Sequence, residues 1–230
     1  MSAGSGTGPP RSVNLFLVRG SAALVGAFVV LAGLVWTGND RLTAYDTRWS
    51  ARAYAFTLDH DWCLTLAHGA TWLGSGPVVV VLTAAATLLC LFGRRWVLAC
   101  WLVVTVAGSA LLNSVLKAGL DKARPSSAGL LTTAHGVAFP SGHTQAATVT
   151  YVAVVLVAGG QAGWVVGRLR PVAVVVVTSV VAAVGLSRVL LGAHWPSDVA
   201  GGWLLGSAWV MAATVVLLRR GAGADVVRAG

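Results

Sequence analysis

Two histidines, one aspartate and three basic side chains stand at spacings that suit phosphoryl transfer. Lys117 and Arg124 fall in the stretch KAGLDKARP, seven residues apart, so on a helix they lie two turns apart and reach the same side. Pro140-Ser141-Gly142-His143 opens a later apolar run, and SRVLLGAHWPSD, Ser187 to Asp198, carries Arg188, His194 and Asp198. Phosphoryl transfer needs cations that stabilise charge spread over the phosphate oxygens, and Lys117, Arg124 and Arg188 supply three. Arginine can also bind two such oxygens at once. Asp198 can accept from one nitrogen of His194, fixing the tautomer and leaving the other nitrogen as nucleophile. His143 would protonate the leaving oxygen, and water would hydrolyse the phosphohistidine.

Pro140 suits a chain entering a helix and Ser141 is a good N-cap. Capping accounts for Ser141 alone. Gly142 lets a ligand approach the backbone closely, and the free N–H groups and positive dipole end of the helix that follows make a phosphate cradle.

These groups must be positioned by apolar elements. Runs of roughly 16 to 23 residues cover about Ser21 to Thr37, Pro77 to Phe92, Trp96 to Leu116, the Pro-Ser-Gly-His turn to Ala158, Pro171 to Leu186, and Pro196 to Leu218. The expected fold is therefore all-α: a polytopic membrane protein with six transmembrane helices in a bundle. Residues 38–76 form the one long segment outside the spans. There Leu58, Trp62, Leu66, Gly69 and Leu73 share a helical face, which predicts one amphipathic helix at the membrane interface, with a short re-entrant piece as the competing reading. Residues 1–12 and 221–230 are expected to be cytoplasmic tails, the first disordered. Residues 13–220 are expected to form a single membrane domain with its motifs within 117–198.

Composition agrees. Only 10% of residues are charged, against about 25% in soluble domains, and mean hydropathy is +0.80. Three cysteines without a CxxC pair make no disulfide framework. The net charge of +9 is a topology signal and not a nucleic-acid footprint. One side of the spans collects nine arginines against Asp225 alone, while the other mixes seven cations with six aspartates. Both termini are thus expected in the cytoplasm, with all three polar clusters on the outer face of the plasma membrane. No Asp, Glu, Lys or Arg sits mid-span, which counts against a transporter.

The three clusters closely resemble the signature of the type 2 phosphatidic acid phosphatase superfamily, the lipid phosphate phosphatases: K-x6-RP, PSGH and SR-x5-H-x3-D. They stand here as Lys117…Arg124-Pro125, Pro140-Ser141-Gly142-His143 and Ser187-Arg188…His194…Asp198. The resemblance implies a six-helix bundle, phosphatase activity without metal or other cofactor, and His194 as nucleophile with His143 as acid. It covers roughly residues 77–218. The substrate it implies is a lipid phosphate or diphosphate in the bilayer: undecaprenyl diphosphate, phosphatidylglycerophosphate or phosphatidate. Two other functions stay open, a lipid-linked phosphotransferase using the same intermediate and a non-catalytic lipid-phosphate binding or transport protein.

Other polar residues receive plainer readings. Asp121 and Lys122 are taken as solvated loop, His135 as a loop residue, His60 as part of an interfacial loop and not a metal ligand, and His68 as lying on the polar face of its helix. Gly202 and Gly206 read as a helix-packing notch.

Overall fold

The structure is a computed structural model, and it describes residues 11–125, 131–132, 136–162 and 164–219. Among these residues helices are the only regular secondary structure. In chain order the elements are α1 (Arg11–Trp36), α2 (Asp40–Leu58), α3 (Asp61–Leu73), α4 (Gly76–Phe92), α5 (Trp96–Gly119), α6 (Gly142–Ala162), α7 (Trp164–Leu190) and α8 (Pro196–Arg219). Four are long and apolar enough to cross a membrane alone: Ser12–Trp36 of α1, α5, Arg170–Leu190 of α7, and α8. The pair α3 and α4, bent by 45° at Gly74-Ser75, meets the same test together. α4 has only 17 residues. The first turns of α6 carry His143, Thr144, Gln145 and Thr148, which dilute its hydropathy.

The apolar runs shape a bundle whose outside is as greasy as its inside. Val29 and Val30 of α1, Val80 and Leu89 of α4, Val104 and Leu111 of α5, and Val175 of α7 are all exposed. That surface suits acyl chains and would aggregate in water. The core between α4, α5, α6 and α8 holds Cys90, Leu98, Leu102, Ala153, Val157 and Val210. Tryptophan N–H groups tie helices together: Trp101 Nε1 donates to Ala213 O at 2.9 Å and Trp209 Nε1 to Thr105 O at 2.8 Å. α8 runs against α6 because Gly202 and Gly206 lack side chains. A Cβ on Gly202 would lie 2.8 Å from Ser141 O, and one on Gly206 2.9 Å from Thr148 Cβ. The Gly-xxx-Gly notch is a packing feature, as expected.

The segment between α1 and α4 departs from the expectation of one interfacial helix, for it forms two. α2 is capped by Asn39, whose Oδ1 accepts from Leu42 N at 3.1 Å. Its buried residues are Asp46, Ser50 and Thr57, a polar stripe that turns inward. A search for apolar periodicity passes over such a stripe. α3 buries Cys63, Ala67 and Thr71 and packs on α7, leaving Trp62 and Leu66 exposed. The predicted Leu58-Trp62-Leu66-Gly69 face is therefore the outward one. Two other boundaries shift: α1 begins at Arg11, so Arg11 and Ser12 are helical and not tail, and α7 begins at Trp164 with Pro171 inside it. His135, residues 1–10 and residues 220–230 lie outside the described residues.

Candidate active site

α7 ends where Gly192 takes φ +69°, a left-handed conformation that costs other residues about 1–2 kcal/mol. Gly192 N donates to Val189 O and Ala193 N to Arg188 O, the paired bonds of a glycine C-cap. The reversed chain also lays His194 N on Arg188 O at 3.1 Å, so the glycine turn sets the imidazole beside the last turn of α7. Gly192→Ala should lower stability by about 1 kcal/mol and reduce kcat together with it. Thermal melting in detergent and a turnover assay check this; a variant equal to wild type in both would remove the turn from the account.

His194 is 2% exposed. Its Nδ1 faces Asp198 Oδ2 at 3.3 Å, and Asp198 Oδ2 also accepts from Trp195 N at 2.9 Å. Arg124 Nη1 stands 3.1 Å from His194 Nε2. A guanidinium can only donate, so Nε2 must be the accepting nitrogen and Nδ1 carries the proton toward Asp198. The tautomer follows from geometry. Burial pushes the His194 pKa down to about 4, with the charges of Arg124 and Arg188 adding to it against the opposing hydrogen bond and charge of Asp198. The ring is neutral at pH 7, with its Nε2 lone pair in place.

Arg124 is held by three carbonyls. Nε donates to Gly136 O at 2.8 Å, Nη1 to Ala193 O at 2.8 Å and Nη2 to Val137 O at 3.3 Å. Arg188, 2% exposed, donates from Nη1 to Thr71 Oγ1 at 2.6 Å, while its buried Nε has no partner. Among the described residues no carboxylate forms an ion pair with Arg188 or Lys117. Two cations without counter-ions at a half-closed site are what an anion requires. Lys117, on the last turn of α5, lies within electrostatic reach of Arg124, Asp198 and Arg188. His143, in the first turn of α6, lies within reach of Arg188, His194, Lys117 and Arg124.

The start of α6 is fixed to the start of α8. Ser141 N donates to Asp198 O at 3.0 Å, and the Ser141 hydroxyl accepts from Thr144 Oγ1 at 2.9 Å. Ser141 stands just before the helix and Gly142 is its first residue. All eight expected site residues, Lys117, Arg124, Ser141, Gly142, His143, Arg188, His194 and Asp198, thus meet at one end of the bundle.

Sequence reasoning missed four residues here. Lys122 is not solvated loop: its Nζ contacts Asp46, Ser197 and Asp198. Asp46, Ser197 and Thr71 are the others, and two of the four come from the arm of α2 and α3. The only sequence signal was the Asp46-Ser50-Thr57 spacing, which is helical but polar. Asp121 is exposed, as expected. His60 precedes α3, its ring stacked on Phe56 with Nδ1 2.8 Å from Phe56 O, and His68 is exposed.

The family model described as PAP2 superfamily matches residues 98–222. Phosphatidylglycerophosphatase B of Bacillus subtilis (strain 168) is 28% identical over 156 residues, which is 66% of this chain and 74% of the relative. A crystal structure of a transmembrane PAP2 type phosphatidylglycerolphosphate phosphatase from Bacillus subtilis has the same fold, with a TM-score of 0.72 over 84% of this chain and 94% of that one, at 24% sequence identity.

Proposed function

Since the chain belongs to the PAP2 superfamily of membrane phosphatases, we propose that it removes the terminal phosphate of a lipid phosphate through a phosphohistidine on His194. The observation that carries this reading is the line Asp198–His194–Arg124, which leaves the Nε2 lone pair of a neutral imidazole among cations. An arriving phosphate takes over the Arg124 donor and frees that lone pair. His194 Nε2 attacks phosphorus; the P–N bond forms as the bond from phosphorus to the lipid oxygen breaks, and that oxygen leaves with a proton from His143. Water then attacks phosphorus and gives its proton to His143. The P–N bond breaks, inorganic phosphate departs, and both histidines return to their starting states. Lys117, Arg124, Arg188 and the N–H groups after Ser141 bind the phosphate oxygens throughout. No step calls for a metal ion.

Helices α1, α4, α5, α6, α7 and α8 serve as six spans in this proposal. Arg94, Arg95, Arg170 and Arg219 mark the cytoplasmic end, and the site opens outward in the plasma membrane.

A groove of about 240 Å³ between α4, α5 and α6 bears on the lipid. Gly142 lines its upper end, and Val79, Val106 and Val149 line it beside Ser109, Asn113 and Gln145. Asn113 Nδ2 donates to Gln145 Oε1 at 2.7 Å and lies one turn, about 6 Å, below Lys117. A lipid whose phosphate sits at Lys117 brings glycerol oxygens to that level, whereas undecaprenyl diphosphate brings its inner phosphate there, a charge for which Ser109, Asn113 and Gln145 supply no cation. We therefore favour phosphatidylglycerophosphate or phosphatidate over undecaprenyl diphosphate. Phosphate release from the three lipids by purified protein in detergent with excess EDTA is the test. Faster turnover of the ester lipids is expected, with Asn113→Leu lowering their kcat/KM about tenfold and leaving the prenyl substrate unchanged. Inactivation by EDTA, or a preference for the prenyl diphosphate, overturns the reading.

A further inference from the structure

Lys122 Nζ has three protons and three acceptors: Asp46 Oδ2 at 2.8 Å, Ser197 Oγ at 2.6 Å and Asp198 Oδ1 at 3.0 Å. Asp46 is 2% exposed, Ser197 4% and Asp198 0%. Asp46 Oδ1 accepts from Ser197 N at 3.0 Å, and its Oδ2 accepts from the Ser197 hydroxyl. Asp198 divides its oxygens, Oδ1 to Lys122 and Oδ2 to His194 and Trp195 N. The loop carrying Lys122 is pinned as well, since Ala138 N donates to Lys122 O at 2.9 Å and Trp195 Nε1 to Ala123 O at 2.8 Å.

We infer that Lys122, braced by Asp46 of α2, is a positioning residue that holds the Asp198 carboxylate turned toward His194. This rests on the reading of His194 and Asp198 as the working pair.

The charges explain why all three members are present. Two buried carboxylates and one ammonium leave one net negative charge, and Asp198 is the member that faces His194. When His194 carries phosphorus its ring is cationic, and an ionised Asp198 stabilises it. Without Lys122, Asp46 and Asp198 would be two like charges in one buried cluster with nothing between them, each pushing the other away. Lys117 and Arg124 also lie within electrostatic reach of Asp198, and Lys122 bonds it directly. An Asp198 rotated away leaves the phosphorylated ring without its counter-charge. Asp46 therefore acts from 151 positions away in the chain, through Ser197, on the start of α8. The arm before α4 thereby becomes part of the catalytic apparatus.

The test is a double-mutant cycle in the full-length protein, with kcat and KM for phosphate release and a melting curve for each variant. Lys122→Met should reduce kcat by roughly 30- to 100-fold while KM moves less than about threefold. Asp46→Asn should cost less. Asp46→Asn combined with Lys122→Met should recover at least about tenfold over Lys122→Met alone, because removing one carboxylate relieves the repulsion that turns the other away. Lys122→Arg, which keeps the charge, should retain most of kcat, and it carries the test if Lys122→Met fails to fold. Losses that simply add, an equal loss in Lys122→Arg and Lys122→Met, or a raised KM at unchanged kcat would each overturn the inference, the last by making Lys122 a substrate ligand. Failure of the underlying catalytic reading shows differently: His194→Asn would then still turn over.

Discussion

His194→Asn should release no phosphate above background, a loss of at least about 10⁴-fold in kcat. The asparagine amide can donate where Nδ1 does now, so Asp198 keeps a partner and the buried site keeps its hydrogen bonds. What disappears is Nε2, the atom that Arg124 contacts at 3.1 Å. Among the described residues, no nearby side chain can replace it. His143 lies among the same cations, but it is the proposed acid, and Ser141 is fully buried with its hydroxyl accepting from Thr144. Phosphate release from lipid in micelles measures the loss, and acid-labile, base-stable labelling of the wild type by radioactive substrate identifies the phosphohistidine. Residual turnover within tenfold of wild type would place the nucleophile elsewhere.

Arg188→Met should lower kcat/KM by about 10³-fold and at the same time raise the melting temperature. The two effects share a cause. Arg188 is buried, its Nη1 donates to Thr71 Oγ1, and its Nε has no partner. Keeping such a cation out of water costs several kcal/mol unless an anion arrives, so an apolar side chain of similar length should fold more stably by about 1–3 kcal/mol. Arg188→Lys should not restore activity. A compact ammonium cannot hold Thr71 and present parallel donors to phosphate at once. Turnover and melting measured on the same samples check both halves; a less stable variant with normal kcat/KM would make Arg188 a packing residue.

The three motifs and most of the bundle were legible before any coordinates, and the reasons are local. A hydropathy run of bilayer length forces a helix, because no water is present to satisfy a bare backbone. Where such runs end, the chain must carry its polar groups. The alternation of arginine-rich and mixed loops then says which ends lie together, so Lys117, His143 and His194 could be assigned to one face. Gly202 and Gly206 were readable for the same reason, since four residues apart on a helix means one side.

Within residues 38–76 the helix α3 was readable from its spacing, but α2 was missed because its buried stripe is polar. Asp46, Ser50 and Thr57 follow helical spacing, yet hydropathy scores them as exposed, and their true environment depends on groups from other elements. Lys122 was misread likewise: within its own loop it is one charge beside the exposed Asp121.

The sequence by itself determined that this is a membrane-embedded helical protein with three polar clusters at one end, because helix period and hydropathy act between near neighbours. Only the tertiary structure decided which charge answers which: that Lys122 joins Asp46 to Asp198, that Arg188 leans on Thr71, and that Arg124 rests on His194. The Coulomb energy of a buried charge depends on its distance to a partner in space, and these pairs are separated by 70 to 117 positions along the chain.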